Sequence, residues 1–364
     1  MTENFKINNF LLPLSWIYGV VVWIRNKLFD FKILSSEEFL IPVISIGNIT
    51  VGGTGKTPHT EYLVRLLKPS YKVAVLSRGY KRKSSGFLLA DKNASFHTIG
   101  DEPFQLYRKF PDIVVAVDAN RKKGIRKLMN LPMDIRPDVI LLDDAFQHRY
   151  VTPSLSILLM SCQRLVYEDA LLPAGRLRET VKNQSRAQIV IVTKCPTDFK
   201  PIDYRMISKN LALYPYQTLY FTSFQYGDLF PVFQDQAVSM PLSELSSHAA
   251  LVVAGIANPK QFAEQVSEYA SETKCLCYND HHKFTSKDYE QIASLYQSMP
   301  KGSYIILTEK DAVRIEDHAE LSEEMKSSMF YLPIEVNFNQ GEQLSFNKQI
   351  EVHVKNLTRN RILA

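Results

Sequence analysis

The chain has 364 residues, enough for about two domains at roughly 150 residues each. With 45% hydrophobic and 22% charged residues, 14 Gly and 18 Pro, it can bury a sizeable core, which excludes disorder, collagen and low complexity as descriptions of the whole chain. The net charge of +5 is a mild basic excess that favours an anionic partner without indicating nucleic-acid binding.

The amino-terminal region contains an uncharged apolar segment of fifteen residues, 10–24, with the sequence FLLPLSWIYGVVVWI. It is shorter than the roughly 20 residues of a membrane-spanning helix, and it lacks the basic start and small-residue cleavage site of a secretory signal. Trp16, Tyr18 and Trp23, followed by Arg25 and Lys27, are typical of a helix that lies at the lipid headgroup boundary. These residues alone leave two interpretations open, an interfacial helix or a buried core helix.

From residue 40 onward, short β-branched runs are separated by helix-length stretches. This pattern predicts an α/β fold with a doubly wound, mostly parallel sheet covered on both faces. The predicted strands are Val43 to Ile46, Val73 to Leu76, Ile113 to Val117, Val139 to Leu142, Leu155 to Leu159 and Ile189 to Val192.

A second series of strands and helices predicts a smaller α/β domain. Its strands are predicted at Leu251 to Ala254, Cys275 to Tyr278 and Tyr304 to Leu307, and its helices near Pro259 to Tyr269 and Ser286 to Gln297. A stretch rich in Phe, Gln, Pro and Ser precedes it and predicts a linker. The expected organisation is an amino-terminal helix over 1–30, a core domain over 31–222, a linker over 223–246, the smaller domain over 247–340 and a tail over 341–364.

The cysteines predict neither disulfides nor structural zinc. Cys162, Cys195, Cys275 and Cys277 are too few and too scattered for a disulfide framework, and the last two lack the two-residue spacer of common zinc knuckles. A reducing compartment is therefore expected.

A glycine-rich loop between the first strand and a helix carries the clearest chemical signal. Its glycines let backbone N–H groups turn toward a triphosphate, its lysine can reach the β- and γ-phosphates, and the threonine after it can bind Mg²⁺. A strict P-loop has Gly at position 50, where this chain has Thr50, and Val51 replaces the lysine of a variant loop. The candidate nucleotide-binding residues are Gly52, Gly53, Thr54, Gly55, Lys56 and Thr57.

Two carboxylates follow the fourth predicted strand and are candidate magnesium ligands. Asp143 and Asp144 come directly after the strand, and ligands of open α/β sheets bind at the carboxyl ends of strands. Strand-terminal aspartates also cap turns, but their pairing with the P-loop favours a metal site.

Other polar clusters are ambiguous taken singly. Asp101, in Gly-Asp-Glu-Pro, fits a general base and a helix N-cap equally well. Asp280-His281-His282 follows a predicted strand without the spacing of a metal site. The basic clusters at Arg78 to Lys83, Arg121 to Lys123 and Arg176 with Arg178 are each typical of a solvated surface.

Taken in order, the motifs resemble the tetraacyldisaccharide 4'-kinase family of lipid A biosynthesis. The resemblance runs from the apolar segment to about residue 314, and the departures are local: Ala145 stands where the family usually has Gly, and Arg176 where Pro is expected. The motifs are G-G-T-G-K-T-P at 52–58, S-R-G-Y at 77–80, G-D-E-P at 100–103, D-D-A-F-Q-H at 143–148, L-P-A-G-R-L-R-E at 172–179, D-H-H at 280–282 and T-E-K-D at 308–311.

The resemblance implies transfer of the γ-phosphate of ATP to the 4'-hydroxyl of a tetraacylated glucosamine disaccharide 1-phosphate, with ATP and Mg²⁺ as cofactors. It implies Lys56 at the phosphates, Asp101 as the base and His281 as its partner. It also implies a membrane-docking first helix at the cytoplasmic face of the bacterial inner membrane, with no nucleic acid and no obligate protein partner. The candidate contacts to the anionic sugar head are Arg78, Tyr80, Arg121, Arg178 and Glu179.

An alternative from another class is a membrane-associated P-loop ATPase that acts as a switch or positions a partner. A guanine-specific switch is disfavoured because Thr193-Lys194-Cys195-Pro196 stands where N-K-x-D is expected, whereas an adenine-dependent switch is compatible with the loop. The destination of the phosphate, water or lipid, discriminates the two. A nucleic-acid-binding module is supported only by the net charge.

Overall fold

The computed structural model describes residues 7–196, 198–233, 238–256, 258–280, 282–315 and 321–363, with side chains up to residue 359. Its internal contacts divide the chain into two compact units. Unit 1 comprises the chain up to Ala94, Leu106–Phe224 and the part from Val336 onward; unit 2 comprises Ser95–Gln105 and Gln225–Glu335.

Strands and helices alternate along most of the chain. The strands are β1 Val43–Asn48, β2 Val73–Ser77, β3 Leu88–Leu89, β4 Val114–Val117, β5 Val139–Asp143, β6 Leu155–Ser161, β7 Ile189–Thr193, β8 Thr218–Tyr226, β9 Phe230–Pro231, β10 Ala249–Ala254, β11 Glu272–Cys277, β12 Tyr304–Thr308, β13 Met329–Leu332 and β14 Ile334–Phe338. The helices are α1 Leu12–Asp30, α2 Lys56–Leu67, α3 Phe96–Ile99, α4 Asp101–Lys109, α5 Arg121–Met129, α6 Pro201–Leu211, α7 Pro259–Ser267, α8 Ser286–Gln297, α9 Glu309–Ala312, α10 Glu323–Ser327 and α11 Gln343–Leu363.

A nine-stranded sheet forms the centre of unit 1, in the order β14-β8-β7-β6-β1-β5-β2-β4-β3. The pairs from β8 to β4 are parallel, and β3 runs antiparallel to β4. Strands β1, β2, β5 and β7 are buried at every position, because their apolar runs face helices on both sides. The predicted doubly wound α/β core is confirmed.

The carboxyl-terminal segment 341–364, predicted as a tail, contains helix α11. Phe346, Ile350 and Val354 of this helix are buried in the same core cluster as Ile44 and Leu63. These residues recur at helical spacing, so one face of α11 completes the apolar cover of the sheet.

Unit 2 contains a five-stranded sheet in the order β11-β10-β12-β13-β9, parallel except for β9. The predicted strand at Leu251 to Ala254 and helix at Ser286 to Gln297 lie within β10 and α8. The residues predicted as a linker, 223–246, contain β9 and a buried Leu229 that pairs through backbone hydrogen bonds with Met240.

Helix α1 is attached to unit 1 by a few polar and apolar anchors, while most of its apolar side chains face outward. Ser15, Asn26 and Phe29 are buried. Trp16 is 70% exposed and Trp23 is 59% exposed. Five other apolar residues of α1 are each at least 47% exposed: Leu14, Ile17, Val20, Val21 and Ile24. This exposure contradicts the buried-core interpretation. Among the described residues, no helix is long and apolar enough to cross a membrane.

Candidate active site

The P-loop joins β1 to α2 at the carboxyl edge of the unit 1 sheet. Gly52 and Gly55 have φ values of +117° and +83°, a region that L side chains rarely adopt, and this turns the loop back onto the helix. Thr50 is outside that region and is buried in an antiparallel bridge to Leu177. The departure from Gly at position 50 therefore costs no backbone strain.

The loop is held from outside by the L-P-A-G-R-L-R-E segment. The amide of Val51 donates to the carbonyl of Arg176 at 2.8 Å, and the amide of Arg178 donates to the carbonyl of Ile49 at 2.7 Å. The amide of Arg176 donates to Asp169 Oδ1 at 3.1 Å, a bond that a proline at this position would lack. This motif thus acts as a short strand that fixes the entry to the P-loop.

Asp143 and Asp144 lie beside the loop, as predicted, but in different surroundings. Asp143 is buried and accepts hydrogen bonds from Thr60 Oγ1 at 3.5 Å and Ser77 Oγ at 3.3 Å. Asp144 adopts a left-handed backbone, with φ of 46°, and its Oδ1 lies 3.7 Å from Lys56 Nζ. The guanidinium of Arg178 approaches the same oxygen to 3.5 Å.

The donor set fits a nucleotide-bound magnesium ion. Asp144 Oδ1 is buried and accepts no hydrogen bond from the residues that the structure describes. Hard carboxylate and hydroxyl oxygens suit Mg²⁺, which keeps several waters and phosphate oxygens as ligands rather than entering an all-protein cage. No cluster of three or more His, Cys, Asp or Glu is found in the described part of the chain. Asp143, Asp144 and Thr57 are therefore suited to an ion shared with a triphosphate.

The other predicted substrate contacts of unit 1 separate into exposed and buried groups. Arg78 and Tyr80 follow β2 and are exposed, Tyr80 by 60%. Arg121 is 2% exposed and donates to the backbone carbonyls of Asp118 at 3.1 Å and Asp143 at 3.2 Å. Burial lowers its pKa to about 10. Arg121 thus ties two strand ends together, and its contact with substrate stays a prediction.

Glu179, the last residue of the predicted substrate motif, is 1% exposed. Its Oε2 accepts from Arg186 NH2 at 2.5 Å and from Asn26 Nδ2, on α1, at 3.4 Å. Arg186 also donates to the carbonyl of Phe146 at 3.1 Å. In this structure Glu179 therefore has a structural role, and its contact with substrate also stays a prediction.

His59 was missed in the sequence because a lone histidine in a helix gives no chemical signal. It is buried one turn into α2, with Nδ1 2.8 Å from the carbonyl of Gly55 and Nε2 3.1 Å from Thr222 Oγ1. A carbonyl oxygen can only accept, so Nδ1 carries the proton and Nε2 accepts from the threonine hydroxyl. Burial lowers the pKa of His59 to about 4. The neutral ring therefore holds the last glycine of the P-loop in place.

Unit 2 contains Asp101, the predicted base, at the first position of α4. Arg314 donates to Asp101 Oδ2 through Nε at 3.1 Å and NH2 at 2.6 Å. The side chain of Arg314 is almost fully buried. Its position three residues after the T-E-K-D motif was the signal that could have identified it.

The T-E-K-D motif positions Arg314. Asp311 is fully buried; its Oδ1 accepts from Arg314 NH1 at 3.0 Å, and its Oδ2 accepts from the Gly255 amide at 2.8 Å and Thr308 Oγ1 at 2.6 Å. His281, the predicted partner of the base, lies outside the described residues. Its neighbour His282 contacts Asp288 at 3.0 Å.

Helix α1 contacts the segments that border the P-loop. The Tyr18 hydroxyl donates to the carbonyl of Arg178 at 2.9 Å, and the Ser15 hydroxyl donates to the carbonyl of Leu171 at 2.9 Å. The Arg25 guanidinium donates to the carbonyl of Gln147 at 3.0 Å. The polar face of this helix is therefore part of the framework of the site, while its apolar face is exposed.

Comparisons with known proteins agree over nearly the whole chain. A family model described as tetraacyldisaccharide-1-P 4'-kinase matches residues 7–354. The tetraacyldisaccharide 4'-kinases of Phocaeicola vulgatus and Bacteroides thetaiotaomicron are 54% and 52% identical, over 98% and 99% of this chain and 97% of each relative. The crystal structure of LpxK from Aquifex aeolicus in complex with ATP aligns with a TM-score of 0.75 at 27% identity, over 96% of this chain and 100% of that one. The chain therefore belongs to the tetraacyldisaccharide 4'-kinase family.

Proposed function

We propose that this protein transfers the γ-phosphate of ATP to the 4'-hydroxyl of a tetraacylated disaccharide 1-phosphate. The observation that carries the proposal is the meeting of Lys56, Asp144 and Arg178 at the P-loop, with 3.7 Å and 3.5 Å separating the two cations from the carboxylate. Phosphoryl transfer needs little covalent chemistry from the protein and depends on positioning and charge stabilisation, which this arrangement supplies.

The residues of the loop bind and orient the triphosphate. Backbone amides from Gly52 to Thr57 face the phosphates at the N-terminus of α2, where the helix dipole favours negative charge. Lys56 neutralises the β- and γ-oxygens, and Thr57, Asp143 and Asp144 hold the metal. A bound Mg²⁺ ion supplies further charge neutralisation on the transferring phosphoryl group.

Asp101 accepts the proton of the attacking hydroxyl, and Arg314 fixes the orientation of its carboxylate. Two guanidinium N–H groups on one carboxylate oxygen restrict rotation of the side chain, as a general base requires. Arg78, Tyr80 and Arg178 contact the anionic sugar head, since guanidinium groups match phosphate geometry. His281 is proposed as the partner of Asp101.

Helix α1 brings the enzyme to its lipid. Four acyl chains leave a bilayer only at a cost of about 0.8 kcal/mol per CH₂, so the phosphate acceptor stays at the membrane surface. The exposed row that includes Trp16, Trp23 and Ile17 supplies an apolar face of the kind that inserts at the headgroup boundary. We place the enzyme at the cytoplasmic face of the inner membrane, where ATP is available.

The test is transfer of label from γ-labelled ATP. Detergent-solubilised wild type and the variants Lys56→Ala and Asp101→Ala are incubated with Mg²⁺ and acylated disaccharide 1-phosphate, and lipid is separated from free phosphate. Labelling of the lipid by wild type, and its loss in Lys56→Ala, would support both the kinase activity and the role of the P-loop in it. Asp101→Ala is expected to lower kcat while ATP affinity is kept.

Label that appears only as free phosphate, despite intact lipid, would contradict the proposal and favour an ATPase that acts as a switch. An unchanged rate for Asp101→Ala would remove this residue as the base. The matched control is Lys209→Ala, an exposed lysine on α6.

A further inference from the structure

Lys194 follows directly after β7 and has an unusual backbone. Its φ is +58°, in the left-handed region, although it is not glycine. Such a conformation is unfavourable for a residue with a Cβ and is maintained only where the surroundings stabilise it. The surroundings that hold Lys194 in this conformation are therefore of interest.

The end of β7 is tied to the P-loop. Thr193 is fully buried, and its Oγ1 donates to the carbonyl of Thr54 at 2.9 Å. The ammonium of Lys194 lies 3.9 Å from the point where a Cβ on Gly53 would stand. A second lysine, besides Lys56, thus reaches the loop, from the end of β7.

The order of the strands indicates which part of a bound nucleotide would lie near the end of β7. The strand order β8-β7-β6-β1-β5 places the P-loop strand between β5, which carries Asp143, and β6 with β7. If Asp143 and Asp144 hold the metal at the γ-phosphate on the β5 side, as in the proposed function, the space left for the nucleoside lies over β6 and β7. The Phe224 ring of β8 also approaches the loop from that side, 2.5 Å from a Cβ built on Gly55.

We propose that Lys194 is a nucleotide-positioning residue, whose ammonium braces the P-loop at Gly53 and whose four-carbon stem forms one face of the slot for the adenine base. Long cationic side chains commonly lay their methylenes along flat apolar surfaces while the charge finds a polar partner. Pro196 stands two residues on, so this strand end offers no carboxylate for the N1–H and exocyclic amine of guanine. The assignment rests on ATP as the donor in the proposed function.

Two substitutions separate the stem from the charge. Lys194→Met keeps an apolar stem without the ammonium, and Lys194→Asn removes both while tolerating the left-handed backbone. Lys209→Asn on the exposed face of α6 is the control. Calorimetry without lipid gives Kd values for ATP, ADP and inorganic tripolyphosphate, and melting temperatures monitor folding. If the melting temperature of the Lys194→Asn variant is lower than that of wild type, Lys194→Gly is used in its place.

Lys194→Asn is expected to raise the Kd for ATP and ADP roughly tenfold, the equivalent of one charge-assisted hydrogen bond. Lys194→Met is expected to lose less affinity for ATP and ADP than Lys194→Asn does. The Kd for tripolyphosphate is expected to be the same in the Met and Asn variants. KM for ATP in lipid phosphorylation rises with kcat kept. A wild-type Kd for ATP in the Asn variant, or identical losses for Met and Asn with ATP, would overturn the proposal. Failure of wild type to label lipid would instead contradict the proposed function.

Discussion

Protonation of His59 should weaken unit 1 as the pH falls, because this ring is neutral and buried against the P-loop. Its pKa is about 4 in the folded protein, whereas an exposed histidine in the unfolded chain has a pKa of 6.5. The unfolded state therefore binds the proton first, and the free energy of unfolding decreases as the pH is lowered from about 6.5 to about 4.

The magnitude follows from the two pKa values. At about 1.36 kcal/mol for each tenfold change, the full loss below pH 4 is about 3 kcal/mol, and about 2 kcal/mol is lost between pH 7.5 and pH 5. Protonation at Nε2 removes the acceptor of the Thr222 hydroxyl in a site where that hydroxyl is fully buried. The P-loop is therefore destabilised together with the helix that follows it.

The assay compares wild type with His59→Gln by hydrogen exchange of amides in β1 and α2. Glutamine can donate to the Gly55 carbonyl and accept from Thr222 but does not titrate in this range. Protection in these elements should fall between pH 7.5 and pH 5 in wild type, by about 2 kcal/mol more than in the variant. His148, whose pKa burial also lowers to about 4, is present in both proteins and cancels. Equal pH dependence in the two proteins would refute the assignment of the proton.

Three further predictions follow from the geometry. The double substitution Trp16→Glu with Trp23→Glu should abolish binding to anionic vesicles while the affinity for ATP is kept. This substitution is a sharper test than deletion of residues 1–28, because α1 also anchors segments of the site. Retained vesicle binding would contradict membrane docking by α1. Arg314→Ala should lower kcat at least tenfold with little change in KM for ATP, and Arg314→Lys should retain more of the wild-type kcat than Arg314→Ala does. A change in KM alone would contradict the action of Arg314 through Asp101. Glu179→Gln should lower the free energy of unfolding of unit 1 by roughly the 3 to 5 kcal/mol of a broken buried ion pair, and with it the melting temperature, while the Kd for ATP is unchanged. A stable protein with weakened lipid binding would instead support a substrate contact.

The local signals in the sequence predicted the parallel core and the P-loop. Buried parallel strands are read from β-branched runs, and the loop from glycines followed by Lys56 and Thr57 between a strand and a helix, so each signal lies within about ten residues. The carboxylates at 143 and 144 were found for the same reason, since the end of a buried strand is itself visible in the sequence.

Tertiary structure decided the roles that depend on distant partners. Helix α1 was equally compatible with core and interface until the fold left its tryptophans exposed, because periodicity gives the faces of a helix but not what covers them. The sequence did not show that Glu179 pairs with Arg186, or that Arg121 is buried against strand-end carbonyls, since burial depends on the whole sheet; their contact with substrate stays a prediction. Arg314 was unassigned because its contact with Asp101 joins residues 213 positions apart. The sequence alone determined which chemistry the chain can perform; the packing of the chain determined which side chains face the site and which support it.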